Sequence, residues 1–232
     1  MKNYLIVGGS SGIGQALALQ LASEGHQVFA TYYQHEQPNS IAGIKYHYCN
    51  VLEESLDLEF LPEALDGIAY CPGSIQLKPF HRIQPGDFVK DYQLQVVGVV
   101  KVLQAILPRL KKAENSSVIL FSTVAVQLGL PFHSLVSASK GALEGLTKAL
   151  AAEFAPRIRV NAIAPSLTDT PLAANLLNSE EKRTSNAQRH PLKKLGTPSD
   201  IAHMAAFLLS DKAGWISGQV FPVDGGMSSL KV

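Results

Sequence analysis

Tyr4-Leu-Ile-Val7 runs directly into Gly8-Gly9-Ser10-Ser11-Gly12-Ile13-Gly14, and the apolar helical stretch Gln15-Ala-Leu-Ala-Leu-Gln-Leu-Ala22 follows. Strand, glycine turn and helix, in that order, form a device for holding a pyrophosphate. Glycine lets the backbone turn sharply and lets a ligand approach where a side chain would collide. The helix aims its unpaired N–H groups and the positive end of its dipole at the phosphates. The glycines carry this meaning because they sit between a strand and a helix; elsewhere they would mark only a tight turn.

Outward from this corner, short apolar runs alternate with helical patterns. Strands are expected at 4–7, 27–32, 45–49, 67–70, 117–122, 157–163 and 218–223, and helices at 12–23, 87–112, 135–154 and 199–209. Apolar strands separated by helices imply a parallel sheet covered on both faces. Right-handed crossovers then give an α/β, doubly wound Rossmann-type sheet of about seven strands, with its ligand beyond the carboxyl ends where strand order reverses. The turn-rich stretch 34–41 reads as a loop. The polar stretch 171–197 reads as a lid-like insertion over the site. No boundary divides the chain, so 1–232 is read as one domain.

With 20 Lys and Arg against 19 Asp and Glu, the net charge is +1. Such a balance does not favour a nucleic acid or an anionic membrane as partner. Cys49 and Cys71 have no metal-ligand spacing and suggest no disulfide framework, so a cytoplasmic setting and no metal are expected. The first strand leaves no room for a signal peptide, and no apolar run approaches the roughly twenty residues that span a bilayer.

Several segments together resemble the short-chain dehydrogenase/reductase family. The glycine loop is similar to that family's TGxxxGIG, with Val7 at the threonine. Ser139-Lys140-Gly-Ala-Leu-Glu-Gly-Leu-Thr-Lys-Ala-Leu is similar to its active-site helix. Arg159-Val-Asn-Ala-Ile-Ala-Pro165 and Val223-Asp-Gly-Gly226 are similar to its last two strands. The likeness covers nearly the whole chain. It implies a nicotinamide dinucleotide cofactor, a small-molecule substrate and a homodimer or homotetramer.

The chain also departs from the family's pattern. Val136 stands where the family's proton-donating tyrosine precedes the lysine, here Lys140, by four residues. Thr123 stands at the serine that holds the substrate oxygen, and Gln95 at the asparagine that anchors a water. Tyr70-Cys71-Pro72-Gly73 replaces Asn-Asn-Ala-Gly, and Asn50-Val51 replaces Asp-Val. Valine has no proton to give, and losing a positioned general acid costs about 10²–10⁴ in rate. Thr123 keeps a hydroxyl that can donate one hydrogen bond. His133, three residues before Val136, could titrate near neutral pH and supply the proton. Tyr70 and Ser137 are weaker candidates on position alone. The expected catalytic set is Thr123, Lys140, Gln95 and His133.

By the same likeness the cofactor is expected to touch Gly8, Ser10, Ser11, Gly12, Ile13 and Gly14 in the loop. Tyr32, Asn50, Val51 and Gly73 should follow the next strand ends. Lys140 should bind the ribose hydroxyls, with Pro165, Leu167 and Thr170 along the nicotinamide side. Ser166 replaces a common glycine there. Tyr32 ends the second strand where enzymes that prefer NAD place a carboxylate, which leans the reading toward NADP(H). The basic residues Lys182, Arg183, Arg189, His190, Lys193 and Lys194 could attract an acidic substrate, and read first as solvated surface.

Three functions follow. One is NAD(P)(H)-dependent reduction of an activated C=C or C=O bond, with an altered proton relay. The alternative is a non-catalytic NAD(P)(H)-binding sensor or supporting subunit, since a fold kept for binding needs no tyrosine at position 136. Use of the cofactor without net redox change is a third, weaker possibility.

Overall fold

The structure, a computed structural model, describes residues 1–36 and 41–231. A seven-stranded sheet in the order β3-β2-β1-β4-β5-β6-β7 forms its centre. The strands are β1 Asn3–Val7, β2 Gln27–Tyr32, β3 Ile44–Tyr48, β4 Gly67–Tyr70, β5 Ser116–Phe121, β6 Ile158–Pro165 and β7 Val220–Val223. Every neighbouring pair is parallel. Parallel strands need crossovers, and the helices that supply them cover both faces. The doubly wound sheet expected from the sequence is therefore present, with strand ends displaced by one or two residues.

Helices α1 (Gly12–Ser23) and α7 (Pro198–Leu209) pack on one face of the sheet, over Tyr4, Ile6, Val28 and Ile119. The other face carries α2 (Pro85–Tyr92), α3 (Gly98–Lys112) and α5 (Ser134–Phe154), over Leu5, Ile68, Val118 and Val160. Alternate residues of one strand thus serve opposite cores, as the two-residue period of a strand requires. In β1, Leu5 lies opposite Phe29 on one side and Ile68 on the other.

The helix expected at 87–112 is longer and is not uniform. It runs over Pro85–Lys112, and residues Gln93–Val97 between α2 and α3 form a π turn. Pro85 opens it, since proline suits a first helical position, and Asp87 accepts a hydrogen bond from the Gln84 backbone N–H at 3.2 Å. By length and composition it could cross a bilayer. Its apolar face (Val99, Val102, Ile106, Leu110) is nevertheless buried on the sheet, and Asp91, Lys101 and Arg109 lie along it. It is a core helix.

The stretch 171–197 is more regular than its sequence implies. It holds a 3-10 turn over Pro171–Leu176 and α6 over Glu180–Gln188, capped by the Ser179 side chain, which accepts from the Lys182 backbone N–H. A short α4 (Ala125–Leu128) was also not expected. Neither segment shows hydrophobic periodicity: α6 buries no residue, and α4 is a single turn. Of the loop expected at 34–41, residues 37–40 lie outside the described residues.

Tyr70 explains how the π turn is held. It ends β4 at 2 % exposure, and its hydroxyl donates to the Leu94 carbonyl at 2.7 Å. A side chain at Gly98 would collide with it, since a Cβ there would lie 2.3 Å from the Tyr70 oxygen. Burial pushes the Tyr70 hydroxyl well above the ordinary tyrosine range. Its place in the core removes it as a proton donor. Tyr70→Phe is expected to cost about 1–3 kcal/mol by leaving the Leu94 carbonyl unpaired. Urea unfolding monitored by circular dichroism checks this, and an unchanged midpoint would refute the role.

Candidate functional site

Strand order reverses between β1 and β4, so the loops leaving their carboxyl ends turn to opposite sides. The loop after β1 is pinned to β2: the Gly8 and Gly9 N–H groups donate to the side-chain and backbone oxygens of Thr31, at 3.1 and 2.9 Å. Two glycines are sterically required. Gly12 has φ +52, and a Cβ at Gly14 would lie 2.3 Å from the Gly8 carbonyl oxygen. Gly14 therefore sets how closely α1 approaches β1. Ser11 enters α1 extended, makes no side-chain cap, and no acidic residue occupies the first turn. The first amides of α1 are thus left to an anion from outside.

Beyond these amides lies a groove of about 520 Å³. Gly8, Ser10, Ser11, Gly12, Ile13, Gly14, Tyr32, Asn50, Val51, Gly73 and Thr170 all line it. The structure thus collects residues from the loops after β1, β2, β3, β4 and β6 in one cleft. A dinucleotide fits these residues: a glycine cradle, free helix amides and an extended trough. Asn50 is partly engaged already, its Oδ1 accepting from the Leu52 N–H at 3.1 Å. The Tyr32 hydroxyl donates to Glu36 at 3.3 Å, while Tyr33 and His35 border the groove.

The groove opens into a second, mostly apolar cavity of about 270 Å³. Ile13, Cys71, Gly73, Thr170 and Leu172 border both, so the two form one cleft. Gln95, Thr123, His133, Val136, Lys140, Pro165 and Leu167 line the cavity. The four residues expected to be catalytic are therefore brought together, with Val136 among them.

Their states differ. Thr123 Oγ1 donates to the Pro165 carbonyl at 3.4 Å and accepts from the Ala125 N–H at 3.3 Å. Both contacts are long, so a better acceptor can claim the hydroxyl. His133 precedes α5, with Nδ1 2.7 Å from the Pro131 carbonyl. Ser137 donates to the Ala125 carbonyl at 3.3 Å. Burial pushes the Lys140 ammonium down to about 8, while Asp91 and Cys71 pull it back up. Burial also pushes the Cys71 thiol up to about 12, so it is no ready nucleophile.

Sequence reasoning missed Asp91. It is a buried carboxylate one helical turn before Gln95, and the Gln95 amide donates to both its oxygens at 2.9 and 2.8 Å. Ser74 donates to it as well. Gln95 Oε1 is then buried without a hydrogen-bond partner among the described residues. It faces Gly73, where a Cβ would lie 3.5 Å from it and 3.7 Å from Lys140 Nζ. A side chain at 73 would touch both groups at ordinary van der Waals distance. The available signal was an Asp and a Gln four apart on an apolar helix, a spacing that places them on one face.

The basic cluster divides. Arg183 pairs with Asp169, Lys182 bonds Asn178 at 2.8 Å, and Lys193 bonds the Gln188 carbonyl at 3.1 Å. His190 corrects the surface reading: it is buried and lines the cavity, as does Arg189. Neighbouring charges in the sequence concealed its inward face. Among the described residues, no group of three or more His, Cys, Asp or Glu could hold a metal ion.

Comparison with known proteins agrees with this geometry. Residues 7–228 match the family model described as Enoyl-(Acyl carrier protein) reductase. The chain is 33% identical to a 3-oxoacyl-[acyl-carrier-protein] reductase of Aquifex aeolicus over 242 residues, covering 97% of each chain. It is 31% identical to that of Thermotoga maritima over 241 residues, again covering 97% of each. Among solved structures, ElxO with NADP bound superposes with a TM-score of 0.89 at 28% identity, covering 99% of this chain and 100% of the other. A short chain dehydrogenase family protein from Francisella tularensis gives 0.89 at 26%, covering 99% and 100%. The glycine cradle, the cleft beyond the strand ends and these matches lead to one conclusion: the chain belongs to the short-chain dehydrogenase/reductase family of oxidoreductases.

Proposed function

We propose that this protein reduces an activated C=C or C=O bond of a small apolar molecule with NAD(P)H. The observation that carries the reading is the junction of the dinucleotide groove with an apolar cavity into which Thr123 and Lys140 face. The 3-oxoacyl reductases and the NADP-bound relative support it. When bound, the nicotinamide supplies a hydride at that junction. Thr123 donates a hydrogen bond to the oxygen on which negative charge develops, and Lys140 holds the ribose beside it. An enone or enal suits the site, because its enolate needs only hydrogen-bond stabilisation where a phenol is missing. Val136, with 6 % exposure, gives that wall an isopropyl group and no acid.

The same reading assigns the stretch 171–197 as a lid, since Leu172, Ala173 and Leu176 close over the cavity. A weak preference for NADP(H) is supported by His35 and Tyr33 on the groove, which no carboxylate lines among the described residues. Exposed Val89, Tyr92 and Val97 on the long helix suit a homodimer or homotetramer. Unpaired Cys49 and Cys71 suit a cytoplasmic setting.

Stopped-flow oxidation of NADPH and NADH across enones, enals and ketones tests the activity. Thr123→Ala is expected to lower kcat by about 10²-fold, and Val136→Tyr to speed ketones more than enones. Tight cofactor binding without turnover on any acceptor would refute catalysis and favour the sensor.

Cofactor affinity should also depend on pH. Lys140 is an ammonium below about 8 and a neutral amine above it, so NADPH affinity is expected to fall as pH rises from 7 to 9. In Lys140→Met the dependence should vanish and binding weaken throughout. Calorimetry measures both, and a pH-independent wild type would contradict Lys140 as a cofactor ligand.

A further inference from the structure

Ser166 and His190 form a hydrogen-bonded pair in the cavity wall that the tetrad of expected residues does not include. Ser166 Oγ lies 2.8 Å from His190 Nε2, and His190 Nδ1 lies 3.0 Å from the Asn186 carbonyl. A carbonyl only accepts, so Nδ1 carries a hydrogen in every charge state. In the neutral ring Nε2 then accepts from the Ser166 hydroxyl. In the imidazolium Nε2 donates instead, and the serine hydrogen must turn elsewhere. The Met227 sulfur, 3.1 Å away, is its weak alternative acceptor. A substrate oxygen bearing negative charge is a far stronger one.

The surroundings suit proton delivery. His190 is 3 % exposed, so its ring is held in place. Ser166 follows Pro165, whose carbonyl accepts from Thr123 Oγ1. This puts the Ser166 and Thr123 hydroxyls on one stretch of wall. Ser166 and His190 also border a smaller cavity of about 150 Å³ on their far side, lined by Lys194, Asp200 and Asp224. The pair thus lies between two cavities, the smaller one bordered by charged side chains. The Asp224 carboxylate, fixed by the Gly226 and Ser228 N–H groups at 2.9 and 2.7 Å, borders this smaller cavity. Arg189 lines the apolar cavity and Lys194 the smaller one.

We propose that Ser166 is the catalytic proton donor of this enzyme and that His190, acting through it, supplies the proton from the side of the smaller cavity. The inference rests on the reductase reading above. Hydride from the reduced nicotinamide adds to the substrate carbon, and the π pair moves onto oxygen. That oxygen takes the Ser166 Oγ proton, and Ser166 takes the Nε2 proton of the imidazolium. His190 is left neutral with its hydrogen on Nδ1 and regains a proton from solvent. The net change is one hydride and one proton added to the substrate. A serine hydroxyl at this turn takes the place of the phenol that Val136 cannot provide.

Two measurements test this. In the cofactor-free protein, ¹⁵N histidine NMR is expected to show hydrogen on Nδ1 of His190 throughout its titration, and Ser166→Ala should move its Nε2 resonance. A neutral ring with its hydrogen on Nε2 rather than Nδ1 would overturn the pair. In the reductase assay, Ser166→Ala and His190→Asn are each expected to lower kcat by about 10²-fold with KM and NADPH affinity unchanged. The wild-type kcat should fall with rising pH along the His190 titration seen by NMR, and this limb should be lost in His190→Asn. His133→Asn should keep it. Turnover of Ser166→Ala equal to wild type, or loss of the limb in His133→Asn instead, overturns the relay while the reductase reading stands. No wild-type turnover on any acceptor overturns both. Should His190→Asn fail to fold, Ser166→Ala decides alone.

Discussion

The separation of β1 from β4 at their carboxyl ends is the constraint on which the rest depends. Their ladder holds Val7 opposite Tyr70, and immediately afterwards the chains part. One turns through Gly8 and Gly9 toward α1, and the other continues through Pro72 and Gly73 toward the long helix. A parallel sheet leaves its strand ends unpaired where crossovers diverge, so a crevice opens there without any side chain being spent on it. The close contact of Gly14 with the Gly8 carbonyl then sets α1 at the floor of that crevice. Both the dinucleotide groove and the apolar cavity are consequences of this one parting.

Within the crevice, burial decides which polar groups matter. A charge taken out of water must find partners or change its protonation. Lys140 does some of each: burial depresses its affinity for a proton while Asp91 restores part of it. Asp91 in turn is held by Gln95 and Ser74. The cost of this cluster is borne by the large cores on either side of the sheet, where Leu5 and Val99 on one face and Ile6 and Leu17 on the other are wholly buried. Elsewhere in the cavity wall Ser166 and His190 satisfy each other. The cavity therefore combines an apolar binding surface with three placed donors: Thr123, Lys140 and Ser166.

Much of this was legible in the sequence, for identifiable reasons. Runs such as Ser117-Val-Ile-Leu-Phe121 are too short and too apolar for anything but a buried strand. The glycine loop is readable because its meaning is local: strand, turn and helix are contiguous. Lys140, Thr123 and Gln95 were found through neighbouring motifs. His190, Asp91 and the π turn were not, because their significance lies in what faces them across space. His190 sits among lysines and arginines in the chain, and only folding turns its ring inward.

The sequence by itself determined the sheet, its winding and the pyrophosphate corner, because hydrophobic period and glycine placement act over a few residues. It also fixed the valine at 136. Tertiary structure alone decided that Tyr70 is a strut for the π turn, that Asp91 stands beside Lys140, and that Ser166 meets His190. Those facts arise from contacts between residues 17, 49 and 24 positions and more apart, such as Ser74 with Asp91, Asp91 with Lys140 and Ser166 with His190. The energy of each depends on distance and desolvation, and neither is written in residue order.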